Sequence, residues 1–162
     1  IDPTIPITKN EVEKKDTIIA TTVAALPKLV TPIIISTLEK EKSEAFVKRE
    51  KVYTKEFDIL EKEIRLEFYD NGAVDGDSIS VFLNNKLVLP ASRLENTPLV
   101  LNITYDDNLP FNELSMFAES LGTIPPNTAV LVIYDGKKRY EVLMSSDFNK
   151  SSTIKLNRRK YL

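Results

Sequence analysis

The chain has 162 residues, 42% hydrophobic and 28% charged, which is one domain's worth of sequence with room for an appendage and enough apolar material for a core. Its 22 Lys and Arg against 24 Asp and Glu leave a net charge of −2; without a basic excess to track phosphates, nucleic acid is not an expected partner. His, Cys and Trp do not occur, which excludes Ser-His-Asp and Cys-His catalysis, disulfides, and zinc sites built on imidazole or thiolate.

Residues 1–45 read as a mostly extended linker and docking segment. Pro3 and Pro6 push their predecessors toward extended geometry. The start at Ile1 rather than Met is expected of a processed chain. Ile18 to Leu38 carries a single charge, Lys28, but Thr21, Thr22, Thr31, Ser36 and Thr37 interrupt it, and Pro27 and Pro32 break any helix. It is therefore not expected to span a membrane. Exposed together, Ile33, Ile34 and Ile35 are an aggregation hazard, so they are expected to dock against this domain or a protein partner. The mixed-charge run Glu39 to Arg49 reads as a solvated linker or a short helix.

Residues 46–162 form the expected β-sandwich domain. From about Val52 onward, apolar residues alternate with polar ones in short runs. The inward sets are Ile64, Leu66 and Phe68; Ile79, Val81 and Leu83; Leu99, Leu101, Ile103 and Tyr105; Leu114 and Met116; Ala129, Leu131 and Ile133; Tyr140, Val142 and Met144; Ile154 and Leu156. This period of two marks half-buried strands. Turn residues separate the runs: Asn71-Gly72, Asp75-Gly76, Asn84-Asn85, Asp106 to Asn108, Pro125 to Asn127 and Asp135-Gly136. The expected fold is all-β, an antiparallel sandwich of about seven to nine strands.

The densest polar cluster runs from Asp70 to Asp77. Asp70, Asp75 and Asp77 stand with Asn71 on a loop hinged by Gly72 and Gly76. Hard oxygen donors on a glycine-hinged loop suit Ca2+. The same residues also make a tight double turn, in which Asp and Asn cap their own backbone. No other cofactor is expected. A second cluster, Ala118 to Thr128, reads as a loop at one end of the sandwich, with Glu119 placed to reach a cation or cap an amide. Tyr69, Phe82, Tyr105, Phe111, Phe117, Tyr134 and Tyr140 offer rings for sugar stacking, but most fit core or second-face packing. Ser145-Ser146-Asp147 reads as an edge turn, since no imidazole is present to activate a serine.

Three motifs in order are similar to a β-sandwich family of secreted and envelope proteins in Bacteroidota: Leu66 to Val81 with Asn84, then Met116 to Ala129, then Arg139 to Val142 with Ser145 to Asp147. The resemblance covers about residues 50–158. Ser120 stands where that pattern usually has Asn, an amide that would support the loop. The resemblance implies a sandwich, export across the inner membrane, and attachment to a larger assembly in the periplasm, at the outer membrane or outside the cell. It implies little about activity.

The expected function is thus a non-catalytic interaction module with a protein partner in the envelope. The alternative is a calcium-supported carbohydrate-binding module, with a glycan as ligand. A glycosidase using a carboxylate pair is the third reading.

Overall fold

The computed structural model describes residues 36–160; Ile33, Ile34 and Ile35 lie outside the described residues. The chain divides into two compact units, Ile1–Glu41 and Lys42–Leu162. Of the first unit, residues 36–41 are described and are helical. Among the described residues no helix is long and apolar enough to cross a membrane.

Among the described residues one helix, α1 (36–48), precedes nine strands. These are β1 (Glu50–Ile59), β2 (Glu63–Asp70), β3 (Ser78–Leu83), β4 (Lys86–Arg93), β5 (Leu99–Thr104), β6 (Asn112–Ser120), β7 (Asn127–Asp135), β8 (Lys138–Ser146) and β9 (Lys150–Arg158). They form a five-stranded sheet, ordered β1-β9-β6-β3-β4, and a four-stranded sheet, ordered β5-β2-β7-β8. The expected all-β sandwich is thus the fold observed. Its core joins the inward sets of both sheets, among them Leu66, Phe68, Ile79, Val81, Leu114, Met116, Leu131, Ile133 and Ile154, all fully buried.

Two strands escape the alternation. β4 contains Pro90 and its register against β3 shifts twice, as suits an edge strand. β1 buries only Phe57 and Ile59 and carries an irregularity at Thr54. It pairs with β9 in parallel, whereas every other pairing is antiparallel. A parallel pair needs a long connection, and here the rest of the sandwich provides it.

The turns follow their residues. Asn84 and Asn85, both at positive φ (51° and 68°), close the β3–β4 hairpin. Asn is among the few residues that tolerate two such positions in succession. The Asp135-Gly136 turn joins β7 to β8 as expected. Asp135 does more than turn the chain: its carboxylate is 1% exposed and accepts the Leu60 amide (2.9 Å to Oδ2) and the Glu61 amide (2.7 Å to Oδ1) from the β1–β2 connection. Asp135→Ala should therefore lower the unfolding free energy by about 1–2 kcal/mol in urea denaturation, since it strands both donors. Asp135→Asn, which keeps one acceptor, should cost less.

The part of α1 from Lys42 onward packs on the outer face of the five-stranded sheet. Within the second unit, Phe46 is 1% exposed and stacks on Phe82 (4.1 Å between centroids), with Phe117 edge-on to both. The Arg49 guanidinium lies 3.5 Å from the Phe117 ring centre and donates to the carbonyls of Ala118 (2.7 Å) and Asp147 (3.2 Å). Glu119 takes Lys42 and the Ser80 hydroxyl. The Glu39 to Arg49 run is therefore a docked helix from Lys42 onward, and the boundary expected between residues 45 and 46 falls inside it.

Candidate functional site

Asp70, Asp75 and Asp77 come together at one end of the sandwich. Asp70 ends β2, opposite Ala129 at the start of β7. The loop of residues 71–77 then leads into β3, whose first residue, Ser78, pairs with Ser120 at the end of β6. The two loops, far apart in sequence, are one structure. Asp75 Oδ2 accepts the amides of Thr123 (3.1 Å) and Ile124 (2.7 Å). The Ser120 hydroxyl donates to the Gly76 carbonyl (3.0 Å), so serine supports the loop where an amide was expected. Asn127, fully buried, donates to the carbonyls of Ser78 and Ser120. Glu119 turns away from this end, toward Lys42 and Ser80, and does not reach the aspartates as a cation ligand would.

Gly122 explains the closeness of the contact. It sits at φ +58°, and a Cβ there would lie 2.5 Å from Asp75 Oδ1 and 2.6 Å from Asp77 Oδ1. Only a residue without a side chain lets both carboxylates approach that backbone.

The electrostatics are unfavourable to three free charges. Asp77 is 3% exposed, and its pKa is pushed up to about 6, first by burial and then by the charges of Asp75 and Asp70, with the Thr128 amide opposing the shift. Burial also raises Asp70, with Asp75 adding to it and the amides of Asn71 and Asp75 opposing. Asp70 Oδ2 and Asp77 Oδ1 are buried without a hydrogen-bond partner among the described residues. No Lys or Arg among those residues forms an ion pair with any of the three. As they stand the carboxylates do not close a coordination shell: among the described residues no group of three or more His, Cys, Asp or Glu side chains is arranged to hold a metal ion.

A second surface stands out on the four-stranded sheet. Ile64, Leu66, Phe68, Leu131 and Ile133 face the core, so Arg65, Glu67, Tyr69, Val132 and Tyr134 face outward. The pairing sets Arg65 beside Tyr134 and Tyr134 beside Arg139, then Val100, Glu67, Val132 and Glu141 in the next row. Glu67 is 5% exposed although it lies on this outer face. Its carboxylate accepts Arg65 Nη2 (2.6 Å), the Tyr69 hydroxyl (2.6 Å) and the Tyr134 hydroxyl (3.3 Å). The Tyr69 bond, then the neighbouring Arg65 charge, hold its pKa low against the effect of burial. Both Arg65 and Arg139 flank the Tyr134 ring, at 5.8 and 5.9 Å. Val100 and Leu143 edge the face, about half exposed. Alternation alone marked Glu67 only as an outward polar residue; its cross-strand neighbours bury it.

The other candidates take structural places. Phe82, Phe117 and Tyr105 are buried. Ser146 donates to the Met116 carbonyl, and Asp147 accepts the amides of Asn149 and Lys150 in the β8–β9 turn. An open groove of about 520 Å³ carries the carboxylates of Glu56 and Asp58, but these are ion-paired with Lys155 and Arg159. No protein-family model matches the chain, and neither a curated protein nor a solved structure does.

Proposed function

We propose that the chain is a non-catalytic interaction module of a secreted or envelope-associated bacterial protein, and that it engages a protein partner through the open face of β5-β2-β7-β8. The observation that carries this reading is Glu67, a carboxylate 5% exposed at the centre of an outward sheet face, tied by Arg65, Tyr69 and Tyr134. Those bonds order Tyr and Arg side chains before any partner arrives, so less side-chain entropy remains to be lost on association. Tyr and Arg are the residues on which binding energy concentrates in protein interfaces, and the half-exposed Val100 and Leu143 add apolar area beside them. A protein suits the face better than a glycan, because the phenol hydroxyls already serve Glu67 and the chain has no Trp. The envelope setting rests on the three motifs.

Photo-crosslinking in cells that produce the chain tests this reading. A benzophenone side chain at Leu143 should give a discrete adduct with one protein, whereas the same group at Tyr53, on the other sheet, should not. Excess wild-type chain should suppress the adduct, and Tyr134→Ala should compete roughly 30-fold more weakly, the loss of about 2 kcal/mol expected for an interface anchor. Equal adducts from both positions, equal competition by Tyr134→Ala, or a glycan-array signal that Tyr134→Ala abolishes would each overturn it.

A further inference from the structure

Three carboxylates meet at the Gly76 and Gly122 end of the sandwich with no ion pair to a Lys or Arg among the described residues; the Arg93 guanidinium comes near Gly76, 3.9 Å from where a Cβ there would stand, but does not pair with them. Two of their oxygens, Asp70 Oδ2 and Asp77 Oδ1, are cut off from solvent with nothing to accept. An ionised carboxylate buried in this way is costly unless something neutralises it. A turn uses part of each carboxylate: Asp75 Oδ2 accepts the Thr123 and Ile124 amides, Asp70 those of Asn71 and Asp75, and Asp77 that of Thr128, which still leaves Asp70 Oδ2 and Asp77 Oδ1 over.

We propose that Asp70, Asp75 and Asp77 bind a calcium-class divalent cation. Every donor in the cluster is a hard oxygen, and the ligands come from an irregular loop, which suits the variable coordination of Ca2+ better than the strict octahedron of Mg2+. Asp77 Oδ1 and Asp75 Oδ1 face the same stretch of backbone at Gly122, where a side chain would displace them. Without the ion the carboxylates repel one another. Binding draws them together, and because Asp75 also holds the Thr123 and Ile124 amides, the ion pins the β2–β3 loop to the β6–β7 loop. This site is independent of the Glu67 face and stands or falls apart from it.

The experiment is a calorimetric titration of the full chain, first stripped with chelator, with CaCl2. The expected dissociation constant is on the order of 10⁻⁵–10⁻³ M, the range from sensor sites to extracellular modules. At 100 times that concentration the melting temperature should rise by roughly 5–10 °C. Asp77→Asn and Asp70→Asn should each abolish the heat and the shift, while Asp58→Asn, at the other end of the fold, should keep both. Circular dichroism of each variant separates loss of binding from loss of folding. Absence of heat and shift at 5 mM Ca2+ in the wild type overturns the proposal, as does an unchanged titration in a folded Asp77→Asn. An equal response to Mg2+ overturns the calcium assignment.

Discussion

Phe46→Ala should lower the unfolding free energy by about 3–5 kcal/mol and the melting temperature by on the order of 10 °C, read by denaturant titration and calorimetry. The ring is 1% exposed, stacked on Phe82 and edge-on to Phe117. Removing it opens a cavity over Phe82 and Phe117 on the five-stranded sheet. Phe82, Phe117 and the partly buried Leu87 line that space. Hydrogen exchange should show residues 42–48 losing protection while β2 and β7 keep theirs. A loss below 1 kcal/mol would show that the helix contributes little to this unit.

Gly122→Ala should cost about 2–4 kcal/mol by the same measurement. Two effects combine. Alanine at φ +58° is strained by about 1 kcal/mol, and its methyl would stand within 2.6 Å of carboxylate oxygens from Asp75 and Asp77. Asp77 is buried and Asp75 is held by two amides, so neither moves without breaking something. On the proposal that Asp70, Asp75 and Asp77 bind calcium, the same substitution should also remove the rise in melting temperature that the ion is expected to give. A neutral Gly122→Ala would mean that the two loops are free to separate.

The sheet was legible wherever one face meets the core and the other meets water. In β2, β5, β7 and β8 the inward sets fell where alternation put them. β3 shows the limit. Ser80 and Phe82 read as its outward positions, yet both are fully buried, because α1 and Glu119 cover them. That covering comes from a charged stretch with a single buried aromatic, too faint a mark to read as a docking face. β1 and β4 lie at sheet edges, where partial burial blurs the period. The acidic loop was visible as a cluster of Asp and Gly, but its counterpart was not. Asp75 and Ile124 lie 49 residues apart, and spacing along a chain carries no trace of a contact made at the end of a sandwich. Glu67 was hidden for a related reason: its burial arises from Tyr134 on another strand.

The parallel pairing of β1 with β9 decides how this unit would transmit mechanical tension. Glu50 lies beside Lys150 at one end of the pair, and Ile59 beside Arg158 at the other. The chain thus enters β1 at one end of the sandwich and leaves β9 at the opposite end, about 30 Å away for strands of this length. A pull between those two points runs along both strands at once. Their ladder of hydrogen bonds lies across the pull and is sheared as a set, whereas an antiparallel terminal pair would be unzipped one rung at a time. Between those two points the paired strands are therefore loaded in shear along their whole length.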